Sequence, residues 1–158
     1  MKHRAILCLL LGAFAWTGCD RTPLEEPDPS VIRFETIAGA DGFVLTHPGT
    51  QVLREAPLWQ TLWGSTWSIT DAQGVKTPPP EIDFARKMVI AVFWGEGYSG
   101  CSNSVEAIET IIQRDGELVV LVGPLPDLGP CDAIVYPVHM VQLDQSDLPV
   151  VFEGDVPR

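Results

Sequence analysis

The sequence predicts an α+β fold: a mainly antiparallel β-sheet of about seven strands with one packed helix. β-Branched and aromatic residues gather in short segments that glycine, proline and aspartate separate, as in strands joined by turns. The predicted strand at 87–94 is continuously apolar after Lys87, which is typical of a central strand. Only residues 55–64 combine a suitable length with helical apolar spacing.

The first half of the domain contains two predicted strands and the helix. Residues 31–38 are β-branched and partly alternating, and a glycine-containing turn leads to a short second strand at 43–46. The helix covers 55–64, where Pro57 suits a position in the first turn. Its apolar stripe, which we expect to pack on the sheet, consists of Leu58, Trp59, Leu62 and Trp63.

The second half of the domain supplies the remaining strands. Residues 106–113 fit either a helix or a strand, and their β-branched content favours a strand that forms a hairpin with 117–122. A further strand covers 133–143, where Pro137 places the segment at a sheet edge or a bulge. Residues 150–152 are predicted to close the sheet.

Residues 1–18 have the three-part plan of a secretory signal peptide. Lys2 and Arg4 precede an apolar run, which ends at Thr17, Gly18 and Cys19. A cysteine directly after small residues is the lipid-attachment position of a bacterial lipoprotein, so Cys19 becomes the lipidated first residue of the mature chain. The alternative is an ordinary signal peptide cut nearby. The run is too short for a bilayer span, which needs roughly 20 apolar residues.

Residues 19–30 are predicted to be an extended acidic tether, rich in proline, that leads to one domain at 31–158. After removal of the signal, 8 basic and 21 acidic side chains give a formal net charge of −13. Because such a surface repels polyanions, we expect no nucleic-acid partner and membrane contact only through the lipid. The chain is placed in the bacterial cell envelope, facing the periplasm or the exterior, and Asp20 favours the inner membrane.

Two cysteines remain in the predicted domain, Cys101 and Cys131, and we expect them to form a disulfide in the oxidising envelope. The alternatives are two buried thiols or half of a metal site. Since only His47 and His139 remain to complete a zinc site, no metal and no cofactor are predicted.

The glycine-rich segment 95–100 fits the dinucleotide pattern G-x-G-x-x-G, but a predicted strand follows it where the motif requires a helix. Ser99 lacks the second glycine of the hydrolase motif, and both histidines suit structural roles. No catalytic residue is therefore assigned, and the protein is not predicted to be an enzyme. The loop is instead a candidate interaction surface, formed by Trp94, Gly97, Tyr98 and Ser99.

Several of these segments together resemble a known family. The pattern is an aromatic helix LWQTLW, then PPPEIDFARKMVIAVFWG, a glycine-tyrosine loop, a hairpin and YPVHMVQL. It resembles the C-terminal domain of the protease complex subunit PrcB family over about residues 53–143. In that family a double glycine commonly precedes the tyrosine, whereas Glu96 interrupts it in this chain. The family takes its name from a lipoprotein that accompanies a secreted protease, so the resemblance implies a non-catalytic accessory module.

The sequence thus predicts a membrane-anchored lipoprotein that acts as an accessory or protein-binding module. Its expected partners are the membrane, through the lipid, and an extracytoplasmic protease or another envelope protein. The alternatives are a small envelope hydrolase, which would use His47 or His139, and a carbohydrate-binding module that would use exposed tryptophans.

Overall fold

The computed structural model describes residues 30–38, 44–65, 78–95 and 98–158. The predictions made for the signal peptide, Cys19, Asp20, the tether and Gly97 lie outside the described residues. No helix within the described ranges is long and apolar enough to cross a membrane.

The described residues form ten strands and one helix, numbered here in chain order. The elements are β1 (Val31–Ile32), β2 (Phe34–Thr36), β3 (Gly49–Leu53), α1 (Ala56–Ser65), β4 (Lys87–Phe93), β5 (Tyr98–Ser99), β6 (Ile108–Arg114), β7 (Glu117–Val122), β8 (Ile134–Val135), β9 (Val138–Asp144) and β10 (Val150–Gly154). The predicted α+β class, mainly antiparallel with one helix, is confirmed.

The strands form two four-stranded sheets and one small pair. Sheet A has the order β1-β6-β7-β10, sheet B has the order β2-β9-β4-β3, and β5 pairs with β8. All pairings between these strands are antiparallel except that of β7 with β10. The chain passes from sheet A to sheet B at Arg33, between β1 and β2, so one short segment joins the two sheets at a corner.

Two hydrophobic cores produce a three-layer arrangement. The inner core lies between the sheets and includes Met88, Ile90 and Val92 of β4 together with Ile111 of β6 and Val120 of β7. The helix-side core covers the other face of sheet B, where alternate residues of β4 and β9 meet the helix. Its members include Val89, Ala91, Phe93, Val138, Met140, Trp59, Leu62 and Trp63. Sheet B is therefore buried on both faces, which explains the continuous apolar run of β4.

The strongest strand predictions are confirmed. β4 lies inside sheet B between β9 and β3, and β6 and β7 form the predicted hairpin. Asp115 and Gly116 turn that hairpin with positive φ angles of 52° and 82°. The local sequence pattern was enough to predict this hairpin, because the alternation of its strands and the residues of its turn indicate the same structure.

Other strand predictions are wrong in position. The predicted strand at 31–38 is two strands, because the chain changes sheets at Arg33. Residues 44–46 form no strand, and the pairing with β4 instead uses Gly49–Leu53. Tertiary pairing decided this register, since local propensity in short strands is weak.

The predicted strand at 133–143 is also divided, into β8 and β9. Pro137 lies between them, where its missing N–H ends one pairing and lets the chain change partners. The expectation that Pro137 puts this segment at an edge or a bulge agrees with β8, whose one partner among the described strands is β5, but β9 lies inside sheet B between β2 and β4.

Candidate functional site

A small projection beyond the sheets is the candidate site, and we call residues 98–101 and 128–136 the disulfide tip. Its centre is the pairing of β5 with β8, which sets Tyr98 opposite Val135 and Ser99 opposite Ile134. Backbone bonds continue this ladder, from Gly100 N to Ala133 O at 3.0 Å and from Cys101 N to Leu128 O at 2.7 Å. The tip is thus a hydrogen-bonded unit and not an open loop.

The predicted disulfide between Cys101 and Cys131 is confirmed. It joins residues 30 positions apart, and both cysteines are exposed. Closing a loop of this length removes unfolded-state entropy worth about 3–4 kcal/mol. Gly129 packs on the disulfide with φ +87°, and a Cβ there would lie 2.9 Å from Cys101 Sγ. Cross-link and glycine together hold the tip in one shape.

The tip is anchored on one side and open on the other. Tyr98 and Leu128 pack against the inner core, and Val135 is buried. The Tyr136 backbone N donates to Asn103 Oδ1 at 2.8 Å. On the open side Ile134 is 73% exposed, more than Val31 or Leu58, the other exposed large hydrophobic residues of the described chain. The tip therefore presents an isoleucine to solvent on a rigid support.

The predicted interaction residues separate in the structure. Ser99 is exposed and its hydroxyl donates to Cys131 O at 3.1 Å, while Tyr98 is half-buried. Trp94 is only 7% exposed and belongs to the inner core, so its prediction as a contact residue is wrong. It continues the inward alternation of β4, and its backbone N donates to Pro137 O at 3.0 Å.

Sequence reasoning missed Ile134, which it placed inside a longer strand. The sequence feature that could have indicated its exposure is the short sequence separation between Cys131 and Pro137. Because the disulfide fixes the chain at Cys131 and Pro137 cannot donate a ladder hydrogen bond, the few residues between them are poorly placed to extend a central strand. Its exposure nevertheless depends on β5, which only the tertiary pairing supplies.

His139 is a buried structural residue. Its Nδ1 accepts hydrogen bonds from the backbone N–H groups of Ala107 at 3.1 Å and Ile108 at 2.8 Å. The proton must then sit on Nε2, which donates to Thr36 Oγ1 at 3.1 Å. Burial lowers the pKa of His139, and the nearby Glu106 charge only partly opposes this. The ring is therefore neutral, and its hydrogen bonds connect β9 to β2 within sheet B and to the start of β6 in sheet A.

The other candidate chemical groups are dispersed. His47 is exposed, and its Nδ1 lies 3.0 Å from the hydroxyl of the adjacent Thr46. The described ranges contain no group of three or more His, Cys, Asp or Glu side chains that could hold a metal ion. Trp59, Trp63 and Trp94 are buried, and Trp67 lies outside the described residues. A carbohydrate platform made from the first three is excluded by their burial.

A polar cleft of about 580 Å³ lies at the corner around Arg33. Two pairs of polar side chains on its walls bond to each other. Lys87 Nζ donates to Asp144 at 2.8 Å and lowers the pKa of that carboxyl, and Gln142 donates to Glu35 at 3.0 Å. With Asp144 and Glu35 already bonded, this cleft is a weaker candidate than the disulfide tip.

Comparison with known proteins adds no relative to this description. No family model matches the chain, and no curated protein and no solved structure matches it significantly.

Proposed function

We propose that this protein is a bacterial lipoprotein, anchored through Cys19, that binds an envelope protein through its disulfide tip and performs no catalysis. The observation that carries the proposal is the position of Ile134, an exposed isoleucine on a cross-linked and hydrogen-bonded projection. On a support that is already ordered, a partner can bury this side chain with little further loss of conformational entropy.

Rigidity of the tip is the physical reason to prefer binding at this place. A loop that is already ordered loses little conformational entropy when it meets a partner. The tip is ordered by the disulfide, by the β5–β8 pairing and by the bond from Tyr136 to Asn103. Burying one isoleucine side chain supplies about 1.5–3 kcal/mol, so Ile134 would be the central contact, with its strand partner Ser99 beside it.

The membrane part of the proposal comes from the sequence. A lipid on Cys19, followed by an acidic proline-rich tether of about 11 residues, would hold the domain roughly 20–30 Å from the bilayer. This reach lets the tip meet other proteins of the same membrane or proteins in solution beside it. The strongly negative chain would not itself adhere to anionic lipids.

The resemblance to the PrcB family supports an accessory role beside an extracytoplasmic protease. The segments that carry the resemblance serve the scaffold in this chain. Asp83 Oδ1 accepts from Ala85 N before β4, and Pro137 divides β8 from β9. A shared scaffold with a variable tip would let such proteins bind different partners, so the protease remains one proposed partner among envelope proteins.

The test is capture of a partner with the full-length protein from detergent-solubilised membranes of its own host. We expect a stoichiometric partner with the wild type and at least a tenfold loss with Ile134→Asp. Leu58→Asp is the matched control, because Leu58 is 50% exposed on the helix and should keep the partner. Equal capture by both variants, or no partner in any growth condition, would refute the proposal.

The anchor is tested separately by Cys19→Ser. Replacing the sulfur removes the acceptor of the lipid, so we expect the variant to leave the membrane fraction or to remain unprocessed. Mass spectrometry of the mature N-terminus should show a fatty-acyl increment in the wild type alone. A variant that fractionates and matures like the wild type would contradict lipidation.

A further inference from the structure

We propose that the partner of the disulfide tip, if the proposed function holds, presents a basic protein segment in which lysine or arginine side chains flank an apolar recess. The tip offers the complementary surface, which is the exposed Ile134 with the carboxylate of Asp132 beside it. Asp132 precedes Ile134 by two residues, so their Cα atoms lie within about 7 Å of each other. A contact that covers Ile134 therefore also takes in Asp132.

Cationic side chains are absent from the disulfide tip. The described residues contain six lysine and arginine side chains, and none of them lies in residues 98–101 or 128–136. The six are Arg33, Arg54, Arg86, Lys87, Arg114 and Arg158.

Three of these cations lie at the end of the sheets away from the tip, which we call the basic end. β4 begins there at Lys87, directly after Arg86, and finishes beside the tip, where Trp94 N donates to Pro137 O at 3.0 Å. β6 runs the other way, from residues bonded to the His139 ring near the tip to its last residue, Arg114. The seven residues of β4 put roughly 20 Å between the two ends.

The acidic side chains at the two ends differ in their surroundings. All three ion pairs of the described residues lie at the basic end, where they use Arg86, Lys87 and Arg114. Asp132 of the tip and Asp127 just before it are exposed and belong to none of these pairs. The tip thus carries negative charge that no ion pair of the described chain neutralises, and this charge attracts a basic partner.

An uncharged partner would be a poor match for this surface. Covering Ile134 would remove water from Asp132, and burying a carboxylate without a cation or a hydrogen-bond donor is strongly unfavourable. A lysine or arginine beside the recess removes this penalty and adds a charge-assisted hydrogen bond. A second copy of this chain does not fit, because each copy has a formal net charge of −11.

The tether reaches the domain at the basic end. Ser30 is the first described residue, and its carbonyl accepts a hydrogen bond from Gln113 N, next to Arg114, at 2.8 Å. In a chain anchored through Cys19, the tip would therefore lie at the end of the domain farther from the bilayer. There it is accessible to a basic segment of a neighbouring protein.

The test is photo-crosslinking of the full chain, in uncharged detergent, with a synthetic peptide of alternating lysine and leucine that contains one photoreactive leucine. We expect mass spectrometry to find the label within residues 128–136, and labelling to weaken as salt is added. The same peptide with glutamate in place of lysine should label the tip at least tenfold less. Labelling spread over the whole acidic surface, or equal labelling by the two peptides, would overturn the inference.

A charge reversal at the tip tests the role of Asp132 directly. Asp132→Lys should reduce labelling of the tip at least fivefold, because it places a cation beside Ile134. Asp147→Lys is the matched control, with the same change in net charge at an exposed position beside Ser146, whose carbonyl is bound by Arg54. Equal labelling of the two variants would contradict the proposed partner chemistry.

The peptide experiment needs no natural partner, so it fails independently of the capture experiment. A captured partner that is lost with Ile134→Asp but retained with Asp132→Lys would support the proposed function and overturn this inference. Labelling confined to the tip, with no partner captured in any growth condition, would support the binding chemistry and refute the proposed function.

Discussion

His139 shows how one buried polar residue can organise the packing of two sheets. Its ring bonds to the backbone of Ala107 and Ile108 beside β6 and to Thr36 of β2. Burying an imidazole without such partners would lower the stability of the fold by several kcal/mol. The hydrogen bonds avoid this cost and hold the ring against both sheets. The sequence indicated a structural histidine, but its partners are 31, 32 and 103 positions away.

This connection predicts that the protein loses stability below about pH 6.5. The pKa of His139 is lowered in the folded state, so the unfolded chain binds more protons as the pH falls through the ordinary histidine value. The contribution is fully present above pH 6.5 and declines by up to about 1.4 kcal/mol per pH unit until the folded ring also protonates. Chemical unfolding at pH 8, 7, 6 and 5 measures this slope.

His139→Asn is the control for the pH prediction. An asparagine oxygen can accept the backbone N–H groups in place of Nδ1, but it does not titrate. The variant should be less stable at pH 8, since the bond to Thr36 is lost, and should show a flatter profile between pH 8 and 5. The window ends at pH 5 because carboxylates, including Asp144 with its lowered pKa, dominate below it. Parallel profiles would contradict the assignment.

At the scale of elements, the helix is held by one face only. The predicted stripe is confirmed for Trp59, Leu62 and Trp63, which are buried on sheet B, but Leu58 is 50% exposed and lies outside it. The rings of Trp59 and Trp63 meet with centroids 5.1 Å apart, and Trp59 Nε1 donates to Pro80 O at 3.0 Å. Periodicity located the stripe, but only the packing against sheet B decided which of its residues are buried.

The helix contact predicts two very different mutational effects. Trp59→Ala should destabilise the protein by about 3–5 kcal/mol, because it leaves a cavity and an unpaired Pro80 carbonyl. Leu58→Ala should cost less than about 1 kcal/mol, since its side chain is half in water already. Thermal unfolding of both variants measures the difference, and similar losses would show that the helix is oriented otherwise.

At the scale of the whole molecule, the two sheets are joined at both sides. The corner at Arg33 joins them covalently, and Arg54 joins them on the side of β3 and β10. Arg54 follows β3 of sheet B, and its Nε and Nη2 donate to Ser146 O at 2.8 Å and Leu148 O at 2.7 Å before β10. One side chain thus ties sheet B to the connection that leads into sheet A.

We expect Arg54→Met to destabilise the protein by about 2–3 kcal/mol. Methionine keeps much of the aliphatic stem but leaves the carbonyls of Ser146 and Leu148 without their charged donor. Arg54→Lys should recover part of this loss, because an ammonium reaches one carbonyl but lacks the planar fork. Urea unfolding measures both variants. A methionine variant within 0.5 kcal/mol of the wild type, a conventional margin for surface changes, would show that the tie is unimportant.

The sequence by itself determined the features that local chemistry specifies. Strand and helix periodicity predicted β4, the β6–β7 hairpin and α1, and the count of cysteines predicted the Cys101–Cys131 bond. Only the tertiary structure decided that Trp94 is buried, that Ile134 is exposed and that β10 runs parallel to β7. These three features depend on which strands become neighbours in space. Strand pairing is set by the packing of the whole chain, because a side chain is buried only when residues distant in sequence pack against it.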